Sequence, residues 1–206
     1  MVIGKNKGVA DAVVMLEGVT AGKKFDRSAS PILDQRGCDF FPHVLLVPRS
    51  ENLTIVNSDA VLHNVRASDS GIDERTVFNI AQPIRGFRTV VKAERFPAPG
   101  IYHATCDAGH PWMSAILVAD HPYCAVTDED GAFVLSDVPP GKYTLRMWHA
   151  GVAVTHTEKR GATVTAYRYE EAYVQIREVV ILAGEELVAD LTLTLRPASY
   201  TSRSSN

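Results

Sequence analysis

Long hydrophobic runs are missing from this chain of 206 residues. Apolar runs such as Val44-Leu45-Leu46-Val47 and Ala115-Ile116-Leu117-Val118-Ala119 fall far short of the roughly 20 apolar residues that a membrane-spanning helix needs. The first residues, Met1-Val2-Ile3-Gly4-Lys5-Asn6-Lys7, lack the apolar stretch of a signal peptide. The chain is therefore expected either to be cytosolic or to have had its signal removed. An excess of basic charge is missing too: 21 Lys and Arg face 24 Asp and Glu, a formal net charge of −3, so no global field attracts nucleic acid. The three cysteines do not make an even disulfide framework. No helical period persists over four turns, and no repeat of fixed length is visible. What remains is ordinary globular composition, 46% hydrophobic and 22% charged, which excludes a disordered chain.

The pattern that is present is β. Apolar and polar positions alternate in part over 45–56, and more clearly at Ala132-Phe133-Val134-Leu135, Tyr143 to Trp148 and Leu187 to Leu195. Turn signals separate them at Pro97-Ala98-Pro99-Gly100, Asp130-Gly131 and Pro139-Pro140-Gly141. Short strands at this spacing predict sandwiches or small barrels. Between Arg160 and Glu178 the run of Thr, Val and Tyr favours strand, with Tyr169-Glu170-Glu171-Ala172 able to form a short helical turn.

Chemistry concentrates at Cys106-Asp107-Ala108-Gly109-His110-Pro111-Trp112-Met113, directly after the strand-like Ile101 to Thr105. Thiolate, imidazole and thioether share one short loop, and a second imidazole, His63, lies upstream. Two His, one Cys and a weak Met are the donor set of a mononuclear blue-copper site. Thiolate and imidazole hold both Cu(I) and Cu(II), so an electron can move with little reorganisation. Zinc would prefer another Cys, His or carboxylate over Met113. A dinuclear copper centre needs a bridging cysteine four residues before Cys106, where Tyr102 stands, unless Cys38 supplies the sulfur.

Over about 33–119 the sequence resembles the cupredoxins, in particular plastocyanin-like and methylamine-utilisation-type members. Phe40-Phe41-Pro42 and Val44 to Val47 look like the opening strand of that family, and the Pro42-to-His63 spacing matches. Asn64 stands where the family ties its two ligand loops together. Pro99-Gly100-Ile101-Tyr102 precedes Cys106 as the family's Gly-x-Tyr precedes its cysteine, and His110-Pro111-Trp112-Met113 fits the ligand loop. The chain departs from plastocyanin in having three residues between Cys106 and His110 where two are usual, in lacking a glycine near Ser50-Glu51, and in having Thr105 where a docking tyrosine stands. The resemblance implies one type 1 copper ion on His63, Cys106, His110 and Met113, with Met113 axial and distant.

A second resemblance lies further on. Val126-Thr127-Asp128-Glu129-Asp130-Gly131-Ala132-Phe133 and Val138-Pro139-Pro140-Gly141-Lys142-Tyr143 are similar to the carboxypeptidase regulatory-like, or transthyretin-like, β-sandwich. Its first strand would be Ala10 to Gly18, and its last Leu187 to Leu195. The expected fold is thus all-β, a Greek-key cupredoxin sandwich of residues 30–118 inserted into a sandwich made of 1–29 and 119–197, with 198–206 a flexible tail. Two tandem domains are the alternative.

The remaining thiols and imidazoles have plainer expectations. Cys38, two residues before Phe40, is expected as a buried apolar filler, with a second-sphere sulfur or a Cys38–Cys124 disulfide as alternatives. His43 is expected at solvent or at the domain seam, His103 pointing away from the core, and His149 and His156 at the surface. The function expected is electron carriage, not enzymatic turnover, because a full Cys-His-His-Met set leaves no open coordination position. Electrons would leave through His110 to a c-type cytochrome or a periplasmic oxidoreductase, and the family resemblance implies export to the periplasm or cell surface. The competing reading is a copper-delivery or sensing module.

Overall fold

The computed structural model describes residues 3–4, 6–26, 30–69, 75–108, 113–151, 153–160 and 163–196. The protein is all-β: among the described residues the one helical element is a single 3-10 turn at Ala93–Arg95, and no helix is long and apolar enough to cross a membrane. The strands in chain order are β1 (Val13–Glu17), β2 (Ile32–Arg36), β3 (Asp39–Phe41), β4 (Val44–Pro48) and β5 (Leu53–Asn57). They continue with β6 (His63–Asp69), β7 (Thr76–Gln82), β8 (Arg88–Val91), β9 (Gly100–Thr105) and β10 (Met113–Ala119). The last are β11 (Cys124–Val126), β12 (Gly141–His149), β13 (Val154–Arg160), β14 (Thr163–Tyr169) and β15 (Tyr173–Ile181).

Three sheets and one hairpin result. A five-stranded sheet has the order β4-β10-β9-β6-β7, and a four-stranded sheet the order β3-β2-β5-β8. Each is mixed, with β4 parallel to β10 and β2 parallel to β5. Leu33, Phe40, Leu53 and Ile55 from one sheet meet Val65, Ala104, Cys106, Ile116 and Val118 from the other, all 5% exposed or less, in one core. A third sheet, wholly antiparallel, has the order β11-β1-β12-β15, and β13 pairs with β14 alone. β1 therefore sits between β11 and β12, across a sequence gap that holds all of β2 to β10.

The uninterrupted apolar run in β10 follows from burial on both faces. Ile116 and Val118 enter the core between the first two sheets, whereas Ala115, Leu117 and Ala119 pack outward against Val13, Cys124 and Trp148 of the third. The opposite face of that third sheet buries Val14, Leu16, Leu145, Met147 and Val179.

Two sequence-based strands are corrected here. Ala132 to Leu135 and Leu187 to Leu195 do alternate, with Phe133, Leu135, Ala189, Leu191 and Leu193 turned onto the third sheet, but neither segment joins a ladder. Alternation reports which side chains are buried; ladder pairing depends on a partner that local pattern does not encode. The stretch 45–56 is two strands parted by a turn closed by Glu51 N donating to Pro48 O. Tyr169 ends β14 and Tyr173 opens β15, so no helical turn forms between them. The tail after Arg196 lies outside the described residues. Gly22 has φ +139° and a Cβ there would come within 2.1 Å of the Tyr123 hydroxyl, which accepts a hydrogen bond from Lys23 N at 2.8 Å. That close approach fixes the segment after β1 to the one before β11.

Candidate metal centre

The ends of three neighbouring strands converge. β6 runs antiparallel to β9 with Arg66 opposite Thr105, and β9 antiparallel to β10 with Thr105 opposite Met113. The first residue of β6, the residue after β9 and the first residue of β10 therefore meet at one end of the five-stranded sheet. Those residues are His63, Cys106 and Met113. His110 lies outside the described residues, and among the described residues no group of three His, Cys, Asp or Glu side chains is placed to hold a metal.

His63 is fully buried and Cys106 is 5% exposed. The loop that leads to His63 is shaped by Asn57, itself fully buried, whose Nδ2 donates to Val61 O at 2.9 Å and Gln82 O at 2.8 Å. Asn57 Oδ1 accepts from Asp59 N at 2.8 Å, a local turn of the kind Asn side chains favour. The Nε2 of His63 lies 2.9 Å from Asp59 Oδ2. When Nε2 carries the ring proton it donates to the Asp59 carboxylate in this contact, which leaves the lone pair on Nδ1. Burial works against ionisation of Asp59. The N–H of Cys38, the His63 ring and the N–H of Gly37 outweigh it, and the carboxyl ends below its ordinary value.

The Cys106 side is fixed by a ring of polar groups. Asp107 N donates to Asn64 Oδ1 at 2.9 Å, Asn64 Nδ2 donates to Asn79 Oδ1, and Asn79 Nδ2 donates to Asp107 Oδ2 at 3.2 Å. Arg66 Nε adds a bond to Asp107 Oδ1 at 2.9 Å. Asn64 follows His63 and Asp107 follows Cys106, so this ring couples the backbones that carry the two donors. Gln35 Nε2 donates to Asn64 O at 3.2 Å from the second sheet. Met113 is the least favourably placed of the three: it faces Thr105 across the ladder, whose side chain alternates with that of Cys106.

The donors fit copper by their chemistry. A cysteine sulfur and an imidazole, both buried, are soft and borderline ligands, suited to Cu(I) and Cu(II) and poorly suited to hard cations. Tyr102, where a bridging cysteine would be needed for a dinuclear centre, is a core residue 3% exposed whose hydroxyl donates to Ala98 O at 2.7 Å.

Other expectations are corrected. Cys38 is exposed, not a buried filler, and it forms no disulfide with Cys124. It belongs to the two-residue turn between β2 and β3, where Gly37 and Cys38 both have positive φ, so the strand alternation with Phe40 does not reach it. His149 is 3% exposed, not at the surface: it alternates with Trp148 and lies against the segment before β1, with Ala10 and Asp11 among its neighbours. Burial pushes its imidazole below the ordinary value, partly offset by the backbone contact of Nδ1 with Ala150 O at 2.7 Å. His103 points out of the first core, against Trp148 at 6.0 Å between ring centroids. His43 and His156 are exposed. Asp59, Asn57, Asn79 and Asp107 were not marked by the sequence; an aspartate four residues before His63 is the one local sign of the first.

Comparison with known proteins adds the following. Residues 100–172 match the family model "Polysaccharide lyase family 4, domain II", a segment that runs from β9 through β14 and covers well under half of the chain. No curated protein sequence matches. Among solved structures, the copper-containing nitrite reductase of Thermus scotoductus is 21% identical with a TM-score of 0.38, over 49% of this chain and 25% of that one. The chain thus spans a quarter of that enzyme's length. A purple cupredoxin from Nitrosopumilus maritimus is 20% identical with a TM-score of 0.35, over 44% of this chain and all of that one. Amicyanin from Paracoccus versutus is 13% identical with a TM-score of 0.37, over 52% of this chain and 97% of that one. These are likenesses of fold at low identity; the donors of this chain carry the functional reading.

Proposed function

We propose that this protein is a type 1 copper protein that carries single electrons, with one copper ion held by His63, Cys106 and His110 and a weak axial Met113. The observation that carries the reading is the delivery of buried His63 and buried Cys106 to the same end of one sheet, with their following residues tied by the Asn64–Asp107 bond of 2.9 Å. Bound there, copper supplies a one-electron couple. The chain's own residues keep the imidazole and thiol dry, hold them from two strands of one sheet, and fix the loop backbones so that little moves when charge changes.

A carrier keeps its metal, whereas a delivery or sensing module must release it. The polar ring around Asp107 and the buried His63 support retention, which favours carriage over delivery. A redox protein such as a c-type cytochrome or an exported oxidoreductase is the partner in this reading, met in a brief contact around His110, and the setting is periplasmic or extracellular. A nested architecture belongs to the same proposal: residues 30–118 as the copper module, and 1–29 with 119–197 as a regulatory-like sandwich that acts as scaffold. Its support is β1 lying between β11 and β12.

The test pairs two rates. Copper-loaded protein should exchange electrons quickly with a soluble c-type cytochrome and lose copper slowly to a chelator of moderate affinity. Loss within minutes together with negligible electron exchange favours delivery instead.

A further inference from the structure

We propose that Asp59 is a positioning residue of the copper site: its carboxylate sets which nitrogen of His63 coordinates, and its charge biases the site toward Cu(II). This rests on the copper reading above and concerns a side chain that the donor set leaves out.

The geometry is that of a built acceptor. Asp59 Oδ2 accepts from Cys38 N at 2.9 Å and lies 2.9 Å from His63 Nε2, while Oδ1 accepts from Gly37 N at 2.8 Å. Its side chain is 18% exposed, so the carboxylate is only partly open to solvent. The two amides come from the turn between β2 and β3, in which Gly37 has φ +61° and Cys38 has φ +62°. A positive φ at both central positions is the type I′ arrangement that joins twisted strands, and a cysteine pays a steric cost for adopting it. The carboxylate offsets that cost by accepting both turn amides. Asp59 is anchored in turn by its own N–H on Asn57, and the neighbouring Ser58 by its N–H on Gln35 O at 2.8 Å and its hydroxyl on Asp34 Oδ1 at 2.7 Å. The carboxylate is thus held by the β2–β3 turn and the end of β5, both of one sheet, before it meets the ring carried by the other.

Two consequences follow for a ligating imidazole. An acceptor at Nε2 keeps the proton there, so Nδ1 is presented to the metal in the correct tautomer without rearrangement. A carboxylate acceptor also makes the ring a stronger donor and places negative charge near the metal. Both effects favour Cu(II) more than Cu(I), and so lower the reduction potential.

Three measurements test this. In metal-free wild type, nitrogen-15 NMR should show His63 protonated at Nε2. In copper-loaded Asp59→Asn, the thiolate-to-copper band should remain while the preference for Cu(II) over Cu(I) falls about tenfold or more, a rise in potential of about 59 mV per tenfold. Asp59→Glu should restore part of the shift. Asp39→Asn removes another carboxylate beside the same turn, one that takes no part in holding Asp59, and should leave the potential close to wild type. An unchanged potential in Asp59→Asn overturns the inference, as does an equal shift in Asp39→Asn, which would make the effect one of general charge. If Asp59→Asn does not fold, an Nδ1-protonated His63 in wild type overturns it alone. Wild type that shows no thiolate-to-copper band removes the copper reading itself, and this inference with it; a normal band with an indifferent Asp59 removes only the inference.

Discussion

Replacing Asn64 with alanine removes two contacts from the ring that couples the His63 and Cys106 backbones. The first is the bond from Asp107 N at 2.9 Å and the second the bond to Asn79 Oδ1. Each hydrogen bond of this kind contributes about 1 kcal/mol, and water reaches the Asp107 amide in the variant, so the full penalty of an orphaned donor does not apply. The expected loss is about 1–2 kcal/mol, which for a chain of this size lowers Tm by roughly 2–8 °C. Asn79 and Arg66 still hold Asp107, so the loop loosens and does not detach. The assay is thermal unfolding of the metal-free protein beside chelator-driven copper loss from the loaded one. Tm should fall and copper loss should quicken. Tm unchanged within about 1 °C, with copper loss also unchanged, would refute the claim that Asn64 ties the two loops. A double-mutant cycle with Asn79→Ala should show a coupling of a few tenths to about 1 kcal/mol, since the two side chains touch.

Met113→Leu should retain copper and raise the reduction potential, because a weak sulfur donor to Cu(II) is lost; an identical spectrum and potential would remove Met113 from the site. Cys38 should react with a thiol reagent in the native metal-free protein, whereas Cys124, whose thiol burial pushes up to about 12, should react only on unfolding. Equal protection of both would contradict the placement of Cys38 in the exposed turn. Burial holds His149 below its ordinary value near 6.5, so the folded state binds fewer protons than the unfolded one as pH falls. Stability should be full above about pH 6.5 and should decline below it, and His149→Gln should flatten that decline; the same slope in the variant would place its origin elsewhere.

Much of this was legible in the sequence where local chemistry decides the outcome. The Asp128-to-Ala132 turn is such a case: Asp128 Oδ1 accepts from Asp130 N and Ala132 N, both at 2.9 Å. So is β12 after its Pro-Pro-Gly turn, where the Tyr143 hydroxyl donates to Pro139 O at 2.9 Å. The donors on either side of β9 and β10 could be read because a strand, a short loop and a strand keep their residues close. What escaped depended on distant partners. Phe133 and Leu191 announce a buried face without naming a ladder, and they find none. His149 looks like a strand-end residue until the segment before β1 covers it. Cys38 follows a strand pattern until a tight turn lifts it out of register. Asp59 reaches His63 and the Gly37-Cys38 turn at once, a meeting of two loops that no spacing rule contains.

The central claim is that His63, Cys106 and His110 hold one type 1 copper ion, and the most direct measurement is the visible absorption and EPR spectrum of the copper-loaded protein beside its Cys106→Ser variant. Wild type should show an intense thiolate-to-copper band and a narrow copper hyperfine splitting, both absent from Cys106→Ser. A loaded wild type with no such band, or a Cys106→Ser variant that keeps the full colour, would contradict the account.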